Sequence, residues 1–306
     1  MSIRVKILGS NSAAPAHRRN QTSQLVNVEG RFYLIDCGEG TQLQLKRFRI
    51  RAQRINNIFI SHLHGDHYLG LMGLLSTMHL LGRKKALNLY GPRGLAEIIT
   101  LQLKYSETVF NYELNFHTID TEVHGLVHED DFIRVYSIPL DHRIPCSGFL
   151  FEEKQKKRRI IKEKLPENFS VRNIVRLKNG EDILDEDGTV LYANTAYTHP
   201  PKKSYKYAYC SDTRYNESIL PYIHEADMLY HESTFLEEHK DRAENTYHST
   251  AMEAATIAKK AAVGKLLLGH FSIRYKELDP IKAEARTIFE NSELAIEGEE
   301  YVLGSI

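Results

Sequence analysis

The sequence predicts an α/β protein made of two β-rich halves packed together, with helices on the outside. Three observations lead there. Strands followed by helices open the chain, and the same order then repeats. The 306 residues, 42% of them hydrophobic, suffice for a large core. No short-period internal repeat points to a solenoid or propeller. Lys plus Arg equals Asp plus Glu, so the formal net charge is zero. Bulk charge therefore does not favour nucleic acid, and any attraction to phosphate has to come from local patches. Cys37, Cys146 and Cys210 are odd in number and widely spaced. They read as packed thiols in a reducing compartment. The chain begins with strand-like alternation instead of a basic segment and an apolar stretch. No apolar run approaches the ~20 residues of a membrane helix. The sequence is read as cytoplasmic, with no membrane partner.

The elements follow in order. Residues 3–8 alternate as a strand, and 23–28 and 31–36 flank the Glu29-Gly30 turn. Gly38-Glu39-Gly40 ends the third strand, and 41–49 is helical in character. A short apolar strand, 55–61, delivers His62-Leu63-His64-Gly65-Asp66-His67. Leu69, Met72, Leu75 and Leu80 suit a buried helix up to Gly82. A strand over 87–90, a helix over 94–105 and several strands between 112 and 151 come next. Residues 152–189 are charge-rich and poor in large apolar residues, which marks an insertion from the core. Strand-like alternation resumes at 205–210, with Asp212 at its end, and 226–230 leads into His231-Glu232-Ser233-Thr234. Thr250 and Glu253 form a capping-box pattern at the head of an Ala-rich helix to Val263. A strand over 265–269 ends at His270, and a helix over 279–290 and a strand close the chain.

His62, His64, Asp66 and His67 place four ligand-type residues in six positions after a buried strand. Imidazole and carboxylate are the donors of compact zinc sites. His62 and His64 share one side of an extended segment, so they can hold one ion. Asp66 and His67, beyond Gly65, can face a second. Two metals about 3.5–4 Å apart clamp a phosphoryl group and lower the pKa of a bound water to about 7. The plain alternative, a turn rich in surface histidines, does not account for this density of donors.

The six residues resemble the HxHxDH signature of the metallo-β-lactamase superfamily. The resemblance implies an αββα four-layer sandwich with the site at one rim and two Zn2+ per chain. Manganese or iron are other ions such donors accept. It also implies three more ligands at strand ends: His142 as the third histidine of the first ion, Asp212 as the bridging carboxylate, and His270 as the last ligand of the second. His124 and His128 are rivals for the place given to His142. Diiron flavoproteins of the superfamily carry Glu where this chain has His64, so histidine favours hydrolysis over redox chemistry.

Five further stretches resemble ribonuclease Z. They are 9–15 with Arg18-Arg19-Asn20, then Asp36-Cys37-Gly38-Glu39-Gly40-Thr41-Gln42, then His231-Glu232-Ser233-Thr234, His248-Ser249-Thr250, and 269–275. The resemblance spans nearly the whole chain. It implies an endoribonuclease that removes the 3′ trailer of precursor tRNA after the discriminator base, leaving a 3′-hydroxyl on tRNA and a 5′-phosphate on the trailer. Asp66 would both bind metal and take part in proton transfer. His248 would protonate the departing oxygen, with Glu232 fixing its tautomer. Arg274 is a candidate phosphate contact. The family also implies a homodimer and an arm that grips tRNA, with DNA not expected as a partner. Residues 152–189 occupy the arm's place, and Lys156, Lys157, Arg158 and Arg159 form its basic run. The arm departs from the family pattern, since Pro166 is its only proline and it has no Gly-Pro pair. Two other readings compete. One is a small-molecule phosphodiesterase, for instance on cyclic nucleotides; the other is a non-catalytic RNA-binding protein with a relic site. A lactonase or thioesterase would leave the stretches at 231–234 and 248–250 unexplained.

Overall fold

The computed structural model describes residues 3–304. Its larger unit takes in the chain up to Glu152 and from Tyr205 onward, and Glu153–Ser204 form a second compact unit. The first strands are β1 (Ile3–Gly9), β2 (Ser23–Val28), β3 (Arg31–Ile35), β4 (Ile55–Phe59), β5 (Leu87–Gly91) and β6 (Leu114–Thr118). After them come β7 (Leu126–Glu129), β8 (Ile133–Pro139) and β9 (Ser147–Glu153). The second unit carries β10 (Arg159–Ile160), β11 (Ile183–Leu184), β12 (Val190–Tyr192) and β13 (Thr198–His199). The chain then adds β14 (Lys206–Cys210), β15 (Met228–Glu232), β16 (Leu266–Gly269), β17 (Ser292–Leu294) and β18 (Glu300–Leu303).

Two seven-stranded sheets result, with orders β18-β1-β2-β3-β4-β5-β6 and β17-β16-β15-β14-β9-β8-β7. Antiparallel pairing runs from β18 to β3, and β3 to β6 are parallel. In the second sheet β14 to β17 are parallel, and β14 meets β9 antiparallel.

Strand alternation sorts side chains into layers. On β14, Tyr207 and Tyr209 join Val5, Val26, Tyr33 and Phe59 of the first sheet in one buried cluster. Ala208 and Cys210 point the other way, against Ala254, Ala255, Ala258 and Ile281 of two helices. On the far side of the first sheet, Leu34, Ile58 and Leu89 pack against Leu71, Leu74, Leu75, Met78 and Leu95. Helices thus cover the outer face of each sheet, as the four-layer expectation requires. These strands are buried on both faces, which explains their continuous apolar runs.

The Leu71–Leu80 helix differs in detail from the sequence reading. It buries Leu71, Leu74, Leu75 and Met78, while Leu69 and Leu80 are 57% and 80% exposed. The helical period, counted from Leu71, sets the buried stripe; Leu69 precedes the helix and Leu80 falls on its outer side.

The second unit holds two small two-stranded sheets. β10 pairs with β13 and β11 with β12, so residues 190–199 belong to the same unit as the basic run. Its Val171–Lys178 helix is capped by the Ser170 hydroxyl, which accepts from Asn173 N at 3.2 Å.

Candidate metal centre

The candidate ligands sit where strands end. His62 follows β4, His142 follows β8, Asp212 follows β14 and His270 follows β16. His64 is the N-cap of a four-residue helix, Gly65–Tyr68, that carries Asp66 and His67. His270 has φ 58°, a left-handed conformation rare without glycine.

Two groups of donors form. His62, His64, His142 and Asp212 each offer an atom within 4.8 Å of the others, and so do Asp66, His67 and His270. His64 Nδ1 lies 3.1 Å from both His62 Nε2 and His142 Nε2. His67 Nε2 and His270 Nε2 are 3.3 Å apart, and Asp66 Oδ2 lies 3.4 Å from the latter. Asp212 faces both groups. Its Oδ2 lies 3.6 Å from His62 Nε2 and 3.8 Å from His142 Nε2. Its Oδ1 lies 3.2 Å from His67 Nε2 and 3.1 Å from His270 Nε2. Neither His124 nor His128 is there. His124 stacks on Tyr222 at 4.2 Å, and His128 Nδ1 lies 2.9 Å from the Tyr90 hydroxyl.

For four of the five rings the far nitrogen shows which nitrogen is bare. His142 Nδ1 lies 3.0 Å from the Tyr247 carbonyl, which only accepts, so this nitrogen carries the hydrogen. His67 Nδ1 lies 2.8 Å from Asp36 Oδ2. The Ser61 hydroxyl donates to Asp36 and therefore accepts from His62 Nδ1 at 3.0 Å. Thr234 Oγ1 donates to Glu232 and accepts from His270 Nδ1 at 2.9 Å. Nitrogen lone pairs and carboxylate oxygens thus converge at contact distance, an arrangement that bound protons or metal cations relieve. Burial lowers the pKa of His62, His64 and His142, leaving them the neutral imidazoles that ligate. Burial acts the same way on His67, but the Asp212, Asp66 and Asp36 carboxylates outweigh it and hold its pKa well above the usual value. The donor set fits two divalent ions sharing Asp212.

Asp36 is a residue the sequence reading quoted in a motif without a role. It accepts from Ser61 N at 2.7 Å and from the Tyr209 hydroxyl at 2.6 Å besides fixing His67. Asp36 itself has φ 54°. The next residues dock on the ligand helix: Cys37 N donates to the His67 carbonyl at 2.7 Å and Gly70 N to the Cys37 carbonyl at 2.9 Å. A Cβ on Gly38 would stand 2.4 Å from the Asp66 carbonyl, so only glycine permits this approach.

Glu232 ends β15 and is fully buried. Its Oε1 lies 2.9 Å from His248 Nδ1 and accepts from Thr213 N at 2.8 Å; Oε2 accepts from Ser249 N at 3.1 Å. The His248 ring lies between the groups, 5.3 Å from the His142 ring and 5.4 Å from the His270 ring. Burial opposes its charge, yet the Glu232 carboxylate prevails and raises its pKa to about 9. The N-terminal stretch also arrives here, with Ala13 N donating to Asp66 Oδ2 at 2.8 Å. Ser12 N donates to the Phe271 carbonyl at 2.9 Å, and Arg19 to the Tyr275 carbonyl.

A cavity of about 550 Å³ opens over the cluster, and Arg274 lines it with Arg143 and Arg242, two residues the sequence reading did not single out. Lys156, Lys157, Arg158 and Arg159 belong to the second unit. Lys156 pairs with Glu153 at 2.7 Å, and Arg158 Nε donates to the Thr198 hydroxyl at 2.8 Å. Lys157 and Arg159 are exposed.

Two helix-covered sheets with a rim of histidine and aspartate donors define a metal-dependent hydrolase of the metallo-β-lactamase fold. The fold recurs in YhfI from Bacillus subtilis, with TM-score 0.70 at 18% identity over 99% of this chain and 100% of that one. The family model described as anti-Pycsar protein Apyc1 matches residues 3–148. The chain is 49% identical to Ribonuclease Z of Cytophaga hutchinsonii over 98% of its own length and 96% of that protein's. It is 46% identical to Ribonuclease Z of Parabacteroides distasonis, over 96% of this chain and 97% of that one. Human tRNase Z, short form, superposes with TM-score 0.69 at 28% identity, covering 97% of this chain and 98% of that one. The chain belongs to the ribonuclease Z family.

Proposed function

We propose that this chain removes the 3′ trailer of precursor tRNA by hydrolysis after the discriminator base, leaving a 3′-hydroxyl on tRNA and a 5′-phosphate on the trailer. The observation that carries the reading is the Glu232–His248 pair set against the donor cluster in a family member. The ligands are assigned as His62, His64 and His142 for one ion and Asp66, His67 and His270 for the other, with Asp212 shared. Zinc suits these donors best, with manganese or iron as alternatives. When bound, such a pair neutralises charge on the scissile phosphate and lowers the pKa of a water to about 7.

The chain's own groups supply the rest. Asp66 holds its Oδ2 against His67 and His270 and accepts from Ala13 N, so it stays anionic and able to orient the attacking water. His248 presents Nδ1 to Glu232, which leaves Nε2 as the atom that delivers a proton to the departing 3′ oxygen. Glu232 keeps that ring in one orientation and charged. General-acid help of this kind is worth roughly 10²–10⁴ in rate. The Lys156–Arg159 run is assigned to the tRNA body. A homodimer working in the cytoplasm completes the proposal, as the family resemblance implies.

The test is incubation of zinc-loaded protein with a 3′-extended precursor tRNA and an unstructured RNA of equal length, with Asp66→Ala as control. A single cut after the discriminator, lost in the variant and absent from the unstructured RNA, is expected. Zinc-dependent turnover of a small phosphodiester with no cut in the tRNA would replace this reading with a small-molecule phosphodiesterase.

A further inference from the structure

Three arginines from three separate segments line the cavity over the donor cluster. Arg143 directly follows His142 of the first donor group. Arg274 lies four residues beyond His270 of the second. Arg242 stands on the Lys240–Thr246 helix, its guanidinium 6.0 Å from the Phe235 ring, which also lines the cavity. All three arginines are exposed. Outside the metal donors and His248, every ionisable side chain lining the cavity is one of these arginines. None of the three has a carboxylate partner among the described residues, whereas Arg214 and Arg176 each hold one, at 2.7 and 3.1 Å. The chain as a whole is neutral, so this unpaired positive charge is local to the rim.

We infer that Arg143 and Arg242, together with Arg274, form a phosphate rim that seats the backbone of single-stranded RNA next to the scissile phosphate. This rests on the nuclease reading above. Guanidinium forks match phosphate oxygens in pairs of hydrogen bonds and carry no base information. The rim therefore holds the nucleotides flanking the cut whatever their sequence, while Phe235 gives Arg242 an aromatic face to rest on. Such a seat separates two jobs: the donor cluster and His248 act on the scissile group, and the rim keeps the strand in line.

The experiment uses the zinc-loaded protein, with Arg143→Gln, Arg242→Gln and the double variant. The enzyme concentration giving half-maximal single-turnover cleavage of precursor tRNA is measured between 50 and 200 mM salt, and the plateau rate beside it. Hydrolysis of bis(p-nitrophenyl) phosphate, which has no flanking phosphates, is the comparison. Each phosphate contact on a single strand contributes about 0.7 to the salt slope. The double variant is expected to lower the slope by about 1.4 and to weaken half-saturation several-fold, with a much smaller loss on the small ester. An unchanged slope, or equal fractional losses on both substrates, would overturn the rim. If the wild type leaves precursor tRNA intact, the tRNA reading falls alone. The salt slope for binding a labelled single-stranded RNA, read by anisotropy, then decides on the arginines.

Discussion

Glu232 has no oxygen left for solvent. Oε1 meets His248 and Thr213 N, and Oε2 meets Ser249 N and Thr234. A carboxylate so bonded stays ionised, because every donor favours its charged form. Its pKa is lowered even though burial pushes the other way, with His248 the leading opposing influence. The consequence for His248 has a sign. Its pKa is raised to about 9, so it remains a proton donor at neutral pH and loses that capacity as pH climbs through about 9. The single-turnover rate is expected to fall over that range. In Glu232→Gln the largest influence raising the ring's pKa is gone, burial and the more distant Asp212 and Asp66 carboxylates remain, and the falling limb is expected to move to lower pH. A pH–rate profile whose alkaline limb is the same in both proteins would remove His248 from the proton-donor role. The raised His248 pKa also contributes stability that is complete below pH ~6.5 and lost as pH rises through about 9.

One helix ties that pair to the fold. The Ala251–Lys260 helix begins immediately after His248-Ser249-Thr250, and its capping box is complete: Glu253 N donates to the Thr250 hydroxyl at 3.2 Å, and Thr250 N to Glu253 Oε2 at 3.0 Å. Thr250 also donates its hydroxyl to Glu237 at 2.7 Å. Loss of an N-cap hydroxyl costs about 1 kcal/mol. Thr250→Ala is expected to lower the Tm by roughly 2 °C. It is also expected to slow cleavage by more than that small destabilisation accounts for, because the cap positions the segment that carries His248. Thermal scans beside single-turnover rates test this; a rate equal to that of the wild type would break the link. This cap was legible in the sequence because its two residues are three apart. The four ligand-type residues of 62–67 were legible for the same reason, as was the strand–helix order of the larger unit. Asp36 was not. Its partners Ser61 and His67 come from one later segment and Tyr209 from another, and no local spacing announces a carboxylate that serves an imidazole 31 residues away. Arg143 and Arg242 were hidden likewise, since a lone arginine beside a ligand or on a short helix looks like ordinary surface. The buried stripe of the Leu71–Leu80 helix was misread by a residue or two, as is common where every candidate is leucine or methionine.

Across the larger unit, both sheets contribute to one cluster. β4 in the first sheet delivers His62, while β8, β14 and β16 in the second deliver His142, Asp212 and His270. Asp36, Asp66 and Asp212 are all buried there. Without cations their charge and the facing lone pairs work against the packing of the two sheets. Chelation is therefore expected to lower the Tm, and added zinc to restore it, stabilising the fold by about 2.7 kcal/mol per site at a hundredfold excess over Kd. Elemental analysis of the untreated protein is expected to return two ions per chain. A Tm indifferent to both treatments would mean that the cluster is not a resident metal site. The dispersal of these ligands along the chain also has a consequence in time. At roughly 5–20 residues per second, a growing polypeptide exposes His62 on the order of 10–40 s before His270 is made. Throughout that interval the nascent chain holds its first imidazoles but neither the shared carboxylate's full set of neighbours nor the last ring. A ribosome translating this message thus carries an unfinished nuclease, silent beside the very RNA that surrounds it, until both sheets have closed.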